Sequence, residues 1–302
     1  MPPTPIMLDV DTGIDDSLAI ALACASPEID VVAVSTVAGN TSIEHATRNT
    51  LDVLAFLGAT GVPVYRGASR PLARPLVTAA HVHGSNGLGG ATLPTAQRAV
   101  EAAKGPATMV RLAQQMAGEL TLVCVGPLTN LAIALNVEPD LPSLVKSVVI
   151  MGGAYRVQGN MTKAAEFNYF VDPEAAAQVF TAPFPEIIAL GLDVTHQAPI
   201  PPEWWRAASG RRTPAQDLFH RAFRESFEVN SDRTHYMHDA MAVAAVIDRS
   251  IIETERRVVA VDGGVDERGA SRLTSAPPLT DVAVNADVTR FSSMMQELLA
   301  LL

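Results

Sequence analysis

The stretch PIMLDVDTGIDD, residues 5–16, changes within a few positions from an apolar run to a cluster of carboxylates. The apolar run is typical of a buried parallel strand, and the apolar-rich run at 17–22 is typical of the first turns of a helix. Four acidic residues therefore fall where a strand ends and a helix begins: Asp9, Asp11, Asp15 and Asp16. In α/β proteins such a junction is a place where ligands bind.

The spacing of these carboxylates predicts a cation site. Side chains alternate along a strand, so we expect Asp9 and Asp11 to point the same way. Gly13 permits a turn, and Asp15 and Asp16 fall where helix amides favour negative charge. Crowded carboxylates raise one another's pKa unless a cation lies among them, and oxygen ligands suit Ca²⁺ or Mg²⁺ better than Zn²⁺. The alternative is that the last two residues cap the helix while the first two are solvated.

Composition limits the possible partners. The chain has 302 residues, 48% hydrophobic and 18% charged, which is typical of a globular protein and excludes a disordered one. A net charge of −10 argues against nucleic acid as a partner. Cys24 and Cys124 both lie in apolar runs, which indicates reduced thiols rather than disulfides. With no signal-peptide pattern and no apolar run of membrane-span length, we expect a cytoplasmic protein without a membrane partner.

Strands and helices alternate along the rest of the chain. Further strands are predicted at 29–37, 62–65, 120–125, 147–153, 186–193, 257–261 and 281–284, and helices at 42–56, 107–117, 173–180, 238–247 and from 288. This alternation predicts a mostly parallel, doubly wound α/β sheet with flanking helices. Residues 66–93 form a long Gly- and Pro-rich loop. Residues 199–237 are helical in pattern but more charged, so we interpret 1–302 as one domain with a helical flank at 199–237.

The carboxyl ends of parallel strands meet at one rim of the sheet. The residues predicted at this rim are Asp11, Asn40, Val125, Met151 and Asp193. A metal held by Asp11 and Asp16 needs more oxygen ligands, and Asp239, at the start of a predicted helix, is the best remaining candidate. A backbone carbonyl from Val125 would complete the site, because calcium accepts carbonyl ligands.

The loop at 159–168 combines polar groups with an apolar side chain. Asn160, Glu166 and Asn168 can bind several hydroxyl groups, and Phe167 can form an apolar wall. This mixture suits a sugar. The alternative is a solvated surface loop.

Together these motifs resemble those of the inosine-uridine type nucleoside hydrolases. DVDTGIDD (9–16) stands where that family has DxDPGxDD, with Thr12 in place of the usual proline. The resemblance continues in order through VAGN (37–40), HGSNGLG (83–89), VGPLTN (125–130), VVIMGGAY (148–155), AEFNYFVDPEAA (165–176), GLDVTHQ (191–197) and HDA (238–240). It covers nearly the whole chain. It implies a Rossmann-like fold and hydrolysis of the N-glycosidic bond of ribonucleosides to ribose and free nucleobase.

The resemblance also implies the roles of individual residues. Asp11 would act as general base on a metal-bound water and as a metal ligand. Asp16, the Val125 carbonyl and Asp239 would be the other protein ligands to Ca²⁺. The residues implied in nucleoside binding are Asp15, Asn40 and Asn168 at the ribose 2′- and 3′-hydroxyls, Asn160 and Glu166 at the 5′-hydroxyl, and Met151 along the sugar pocket.

Two histidines are candidates for assisting the leaving base, although a lone histidine is more often simply hydrogen-bonded. They are His83, in the Gly-rich loop, and His238, next to the proposed ligand Asp239. In pyrimidine-preferring members, histidines at these two places face the nucleobase, which implies pyrimidine-preferring or broad inosine-uridine specificity.

Trp204 and Trp205 match no base-stacking position and are interpreted as packing or lid residues. The segment 233–237 is where the family often places an arginine or an aromatic residue over the base.

Two other functions are weighed. In a haloacid-dehalogenase-like phosphohydrolase, Asp9 would attack phosphorus and Asp11 would act as acid and base with Mg²⁺, but Lys146 and Lys163 are poorly placed for that fold. A non-catalytic nucleoside-binding protein would be favoured by loss of Asp11 or Asp239, and both are present. The family resemblance implies a small-molecule nucleoside substrate and a homodimer or homotetramer.

Overall fold

The computed structural model describes residues 2–210, 213–229, 232, 234–274 and 280–302. Its strands are β1 (Thr4–Val10), β2 (Ile29–Thr36), β3 (Val64–Arg66), β4 (Thr121–Cys124), β5 (Ser147–Met151), β6 (Ile187–Leu190), β7 (Ile252–Val261), β8 (Ser271–Thr274) and β9 (Thr280–Ala286). Its helices up to β6 are α1 (Ile14–Ala25), α2 (Ile43–Phe56), α3 (Ala80–His83), α4 (Gly105–Gln115), α5 (Thr129–Val137), α6 (Leu141–Leu144), α7 (Phe167–Val171) and α8 (Pro173–Thr181). The later helices are α9 (Leu192–Thr195), α10 (Pro202–Ala208), α11 (Pro214–Ala222), α12 (Arg224–Glu228), α13 (His238–Ile247) and α14 (Val288–Leu299), with a 3₁₀ turn at Arg249–Ile251.

The strands of the described residues form one nine-stranded sheet in the order β3-β2-β1-β4-β5-β6-β9-β7-β8. Neighbours from β3 to β9 are parallel, whereas β7 runs antiparallel to both β9 and β8. The predicted Rossmann-like, mostly parallel sheet is therefore confirmed.

Helices cover both faces of this sheet. On one face α1, α2, α11, α13 and α14 pack around an apolar cluster that includes Leu18, Leu54 and Met241. On the other face α4, α5, α6 and α8 pack around a second cluster that includes Met109, Leu131 and Phe180. Because each parallel strand lies between two apolar layers, its sequence is a nearly continuous apolar run. None of the helices in the described ranges is long and apolar enough to cross a membrane.

The strand predicted at 186–193 is shorter in the structure. β6 ends at Leu190 because the Gly191 carbonyl accepts the N–H groups of Val194 and Thr195, which turns the chain into α9. The short edge strand β8 was not predicted, and the predicted long loop contains the single turn of α3. The described part of 199–237 contains the short helices α10, α11 and α12.

Strands β2 and β3 lie on one side of β1, and β4 lies on the other side. The order of the strands therefore reverses at β1. Such a switch point opens a crevice at the carboxyl ends of the strands. Asp9 pairs in register with Cys124, which places Asp11 and Val125 just beyond the two strand ends. The fold thus brings the acidic motif to a crevice.

Candidate active site

The acidic loop between β1 and α1 is folded by one of its own carboxylates. Asp16, in the first turn of α1, accepts the N–H of Asp11 at 3.1 Å and that of Gly13 at 2.8 Å. A Cβ at Gly13 would lie 2.5 Å from His83 Nδ1, so a larger residue would displace that histidine. The loop therefore needs both the carboxylate and the glycine.

Thr12, where the family motif has proline, is tied to α2. Its Oγ1 lies 2.7 Å from Thr50 Oγ1, and its carbonyl accepts the Asn49 amide at 3.1 Å. Asn49 also donates to the carbonyl of Asn86 in the Gly-rich loop. One helix thus fixes both the acidic loop and the loop that follows His83.

Asn40, just beyond β2, joins two of the predicted metal ligands. Its N–H donates to Asp11 Oδ2 at 2.6 Å, and its side-chain amide donates to Asp16 Oδ2 at 3.0 Å. The other oxygen, Asp11 Oδ1, is buried without a hydrogen-bond partner among the described residues. An orphaned carboxylate oxygen of this kind fits a cation ligand.

Asp15, Asp16 and Asp239 each present an oxygen within 4.8 Å of the other two, so they can hold a metal ion. Asp11 adjoins this group through Asp16. Burial, and then the charge of Asp16, raises the pKa of Asp11 well above its usual range. Burial, and then Asp15, does the same to the pKa of Asp239. No ion pair within the described ranges involves these four residues, so a metal ion could supply the positive charge that the cluster lacks.

Asp9 does not join this cluster. Its carboxylate accepts Ser35 Oγ at 2.5 Å and Asn130 Nδ2 at 2.7 Å, inside the sheet. Burial raises the pKa of Asp9 to about 7.

Asp193, which we predicted at the rim, instead accepts the N–H groups of Tyr155 and Arg156 and is absent from the described cavity lining.

A cavity of about 220 Å³ opens above the carboxylates. The predicted site residues that line it are Asp15, Asn40, His83, Val125, Met151, Asn160, Glu166, Phe167, Asn168, His238 and Asp239. The remaining two, Asp11 and Asp16, are fully buried and lie against Asn40. Residues from seven separate regions of the chain therefore converge on one pocket, although Asp11 and Asp239 are 228 positions apart in the sequence.

One wall of the cavity is a hydrogen-bonded polar network. Glu166 caps the N-terminus of α7 and accepts the N–H groups of Asn168 at 2.9 Å and Gly153 at 3.0 Å. Asn168 donates its side-chain amide to the carbonyls of Val125 at 2.8 Å and Met151 at 3.2 Å. These bonds rigidify the wall before any ligand enters.

Both predicted histidines are held at Nδ1. His83 Nδ1 accepts the Ile14 N–H at 3.0 Å, and His238 Nδ1 lies 2.7 Å from Thr195 Oγ1. Burial, followed by the charge of His81, lowers the pKa of His83 to about 4. Burial, followed by His196 and then His83, lowers the pKa of His238 to about 3. Because His83 is neutral and accepts at Nδ1, it carries its hydrogen on Nε2.

The cavity lining also includes residues that the sequence did not single out. They are Ile14, Ala79, His81, Val82, Met161, Phe223 and Ser226. From the segment 233–237, Thr234, His235 and Tyr236 also line the cavity, while Arg233 lies outside the described residues. The helical pattern of the flank carried no signal for Phe223 or Ser226, because neither belongs to a motif.

The two tryptophans are absent from the described lining of this cavity. Trp205 stacks on His220 at 4.7 Å and on Phe227 at 5.6 Å between ring centroids, which agrees with a packing role. Tyr236 instead supplies an aromatic ring beside the histidines, 4.6 Å from His196 and 5.5 Å from His238 between centroids.

Comparisons with known proteins agree with this geometry. Residues 6–293 match the family model described as inosine-uridine preferring nucleoside hydrolase. A pyrimidine-specific ribonucleoside hydrolase RihA from Escherichia fergusonii is 38% identical over 304 residues, covering 97% of each chain.

Solved structures show the same relationship. The plant nucleoside hydrolase PpNRh1 superposes with a TM-score of 0.94 at 31% identity, covering 99% of each chain. A purine-preferring ribonucleoside hydrolase from Gardnerella vaginalis gives 0.90 at 28% identity, covering 98% of each chain. The phosphohydrolase and non-catalytic alternatives are therefore set aside. The chain belongs to the inosine-uridine preferring nucleoside hydrolase family and is an enzyme that hydrolyses ribonucleosides.

Proposed function

We propose that this enzyme uses Ca²⁺, with Asp11 as general base, and that it prefers pyrimidine ribonucleosides. The observation that carries the proposal is the buried, unpartnered oxygen of Asp11 beside a carboxylate cluster without a basic partner in the described chain. Asp11, Asp16 and Asp239, with the Val125 carbonyl, would hold the cation. A set made only of oxygen ligands suits Ca²⁺. The bound cation would lower the pKa of a water and orient the ribose diol.

The proposed reaction is a displacement at C1′ of the ribose. A water oxygen forms a bond to C1′ while the C1′–N bond breaks and its electron pair passes to the nucleobase. Asp11 accepts the proton that the water loses. The developing positive charge on the ribose lies above buried carboxylates, which stabilise it.

The polar wall of the cavity would bind the ribose. We assign the 2′- and 3′-hydroxyls to Asp15 and Asn168, with Asn40 beside them, and the 5′-hydroxyl to Asn160 and Glu166. Asn160 Oδ1 accepts the Phe167 N–H at 2.9 Å, which leaves its NH₂ group for the substrate. Because Glu166 and Asn168 are already fixed by backbone bonds, the sugar would bind to a preorganised surface.

The histidines would receive the nucleobase. His83 presents Nε2–H as a donor and His238 lies beside the ligand Asp239, so both can stabilise negative charge on the departing base. Pyrimidine preference is supported by the two histidines and by the pyrimidine-specific relative at 38% identity.

Release of free base from a nucleoside panel tests the proposal. We expect uridine and cytidine to be cleaved faster than inosine, adenosine and guanosine, with p-nitrophenyl phosphate inert. Verified metal-free protein should be inactive and should recover on addition of Ca²⁺. Full activity without metal would refute the calcium site, and faster cleavage of purines would refute the base preference.

We further propose a cytoplasmic homodimer or homotetramer. Both cysteines are free thiols and Cys24 is partly exposed, which suits a reducing compartment. The oligomeric state follows from the family resemblance and is measured by light scattering coupled to size-exclusion chromatography. A monomer at assay concentrations would contradict it.

A further inference from the structure

Thr195 makes the side-chain hydrogen bond that fixes the ring of His238. Its Oγ1 lies 2.7 Å from Nδ1, and the threonine is 1% exposed. The two residues are 43 positions apart, one at the end of α9 and the other at the start of α13. A buried bond between separate elements orients the imidazole as well as holding it.

The turn that carries Thr195 is itself anchored to the sheet. The Thr195 N–H donates to the Gly191 carbonyl directly after β6. Gln197 donates to the carbonyls of Asp193 at 2.9 Å and Val284 at 3.4 Å and accepts the Ala286 N–H at 3.3 Å. Since the last two belong to β9, the hydroxyl is held by two strands rather than by a free loop.

The direction of the bond follows from the donor count. The Thr195 hydroxyl has one hydrogen, and within the described residues its Oγ1 has no hydrogen-bond partner besides His238 Nδ1. If Nδ1 were the donor, that hydrogen would be left buried and unpaired, which is costly. Thr195 therefore donates to Nδ1, and the ring carries its own hydrogen on Nε2.

We propose that Thr195 is a positioning residue that sets His238 as an Nε2–H donor toward the departing nucleobase. His83 is held in the same form by the Ile14 N–H, so two different donors give the pocket two matching Nε2–H groups. The inference rests on the proposed role of His238 at the leaving base. Donation at Nε2 would stabilise the electron pair that the base nitrogen receives when the C1′–N bond breaks.

Substitutions at Thr195 test this role through the leaving group. Thr195→Val removes the donor at nearly constant volume, and Thr195→Ser keeps it. We expect the valine variant to lose about 10- to 100-fold in kcat for uridine but less than about threefold for p-nitrophenyl riboside, whose leaving group needs no assistance. The serine variant should restore uridine cleavage. Should the valine variant fold poorly, Thr195→Ala gives the same comparison.

Thr121→Val is the matched control. Thr121 is 3% exposed in β4 and its Oγ1 lies 3.1 Å from Ser147 Oγ, so its loss also removes a buried hydroxyl bond. We expect a lower melting temperature with an unchanged ratio of the two substrates. An equal loss on both substrates in Thr195→Val would show a merely structural role and overturn the proposal.

Nitrogen chemical shifts of labelled histidine give a readout independent of turnover. In the metal-loaded protein we expect His238 as the Nε2–H form in the wild type and Thr195→Ser, and a changed tautomer population in Thr195→Val. An Nδ1–H form in the wild type would overturn the proposal. The His238→Ala variant distinguishes the positioning role of Thr195 from the leaving-group role of His238. An equal loss on both substrates in this variant would refute the leaving-group role.

Discussion

The sheet rim and the helical flank both line one cavity but are built differently. At the rim, Asp11 and Asn40 follow strands, Asp16 lies in the first turn of α1, and all three are buried and held by bonds of 2.6–3.1 Å. The described part of the flank contains short helices, and α12 buries none of its residues. Rigid strand ends thus carry the proposed chemistry, while the less buried segment forms the wall near the proposed base site. With the two functions on separate elements, hydrolysis and base selectivity can vary independently.

The largest effect is expected at the rim. Asp11→Asn keeps the size of the side chain but removes the proposed base, so kcat should fall about 10²- to 10⁴-fold. Ribose release measures the loss. The melting temperature of the metal-free variant should not fall, because a buried like charge is removed.

Asp52→Asn is the control for that variant. Asp52 is also buried, but it lies in α2 and accepts the Ala96 N–H at 2.7 Å, away from the cavity lining. Its turnover should remain near that of the wild type. Near-normal turnover in folded Asp11→Asn would show that Asp11 is not the general base.

A smaller effect is expected on the flank. Tyr236→Leu removes the ring that packs against His196 and His238, and kcat/KM for uridine should fall about tenfold. Cleavage of p-nitrophenyl riboside should change less, because that substrate lacks the natural base. Phe227→Leu, which alters a ring stacked on Trp205, serves as the control. Equal losses on both substrates would show that the flank also serves the chemical step.

The smallest effect concerns the pH dependence of stability. The pKa of His83 is about 4 in the folded chain and 6.5 ordinarily, so the unfolded state binds a proton first as the pH falls. Stability from the neutral ring is present above pH 6.5 and is lost between pH 6.5 and 4. Nearby titratable groups are His81 and His238.

Urea unfolding at pH 7 and pH 5 measures this loss. The wild type should lose about 2 kcal/mol more than His83→Gln over that interval. The exposed His81→Gln should keep most of this loss, because burial is a larger cause of the lowered His83 pKa than the charge of His81. Identical losses in the wild type and His83→Gln would show that this histidine is not held neutral by the pocket.

The sequence pattern at 5–16 predicted the acidic cluster at the sheet rim, because a strand, a turn and the start of a helix follow one another within these twelve residues. The sequence could not separate Asp9 from the cluster, since that depends on Ser35 and Asn130 from neighbouring elements. It extended β6 to Asp193 because an apolar run does not show where a glycine carbonyl turns the chain. The bond between Thr195 and His238 spans 43 positions, and no periodicity encodes such a contact.

The contact between Thr12 in the acidic loop and Thr50 on α2 affects the entropy of folding. A proline at position 12 would restrict the unfolded chain and so lower the entropy lost on folding. Thr12 leaves that entropy in place and offsets it with its contact to Thr50 on α2. The order of the acidic loop therefore depends on α2, which contributes no proposed ligand, as well as on the loop's own bonds to Asp16. Warming that loosens α2 would disorder the loop before the sheet itself unfolds.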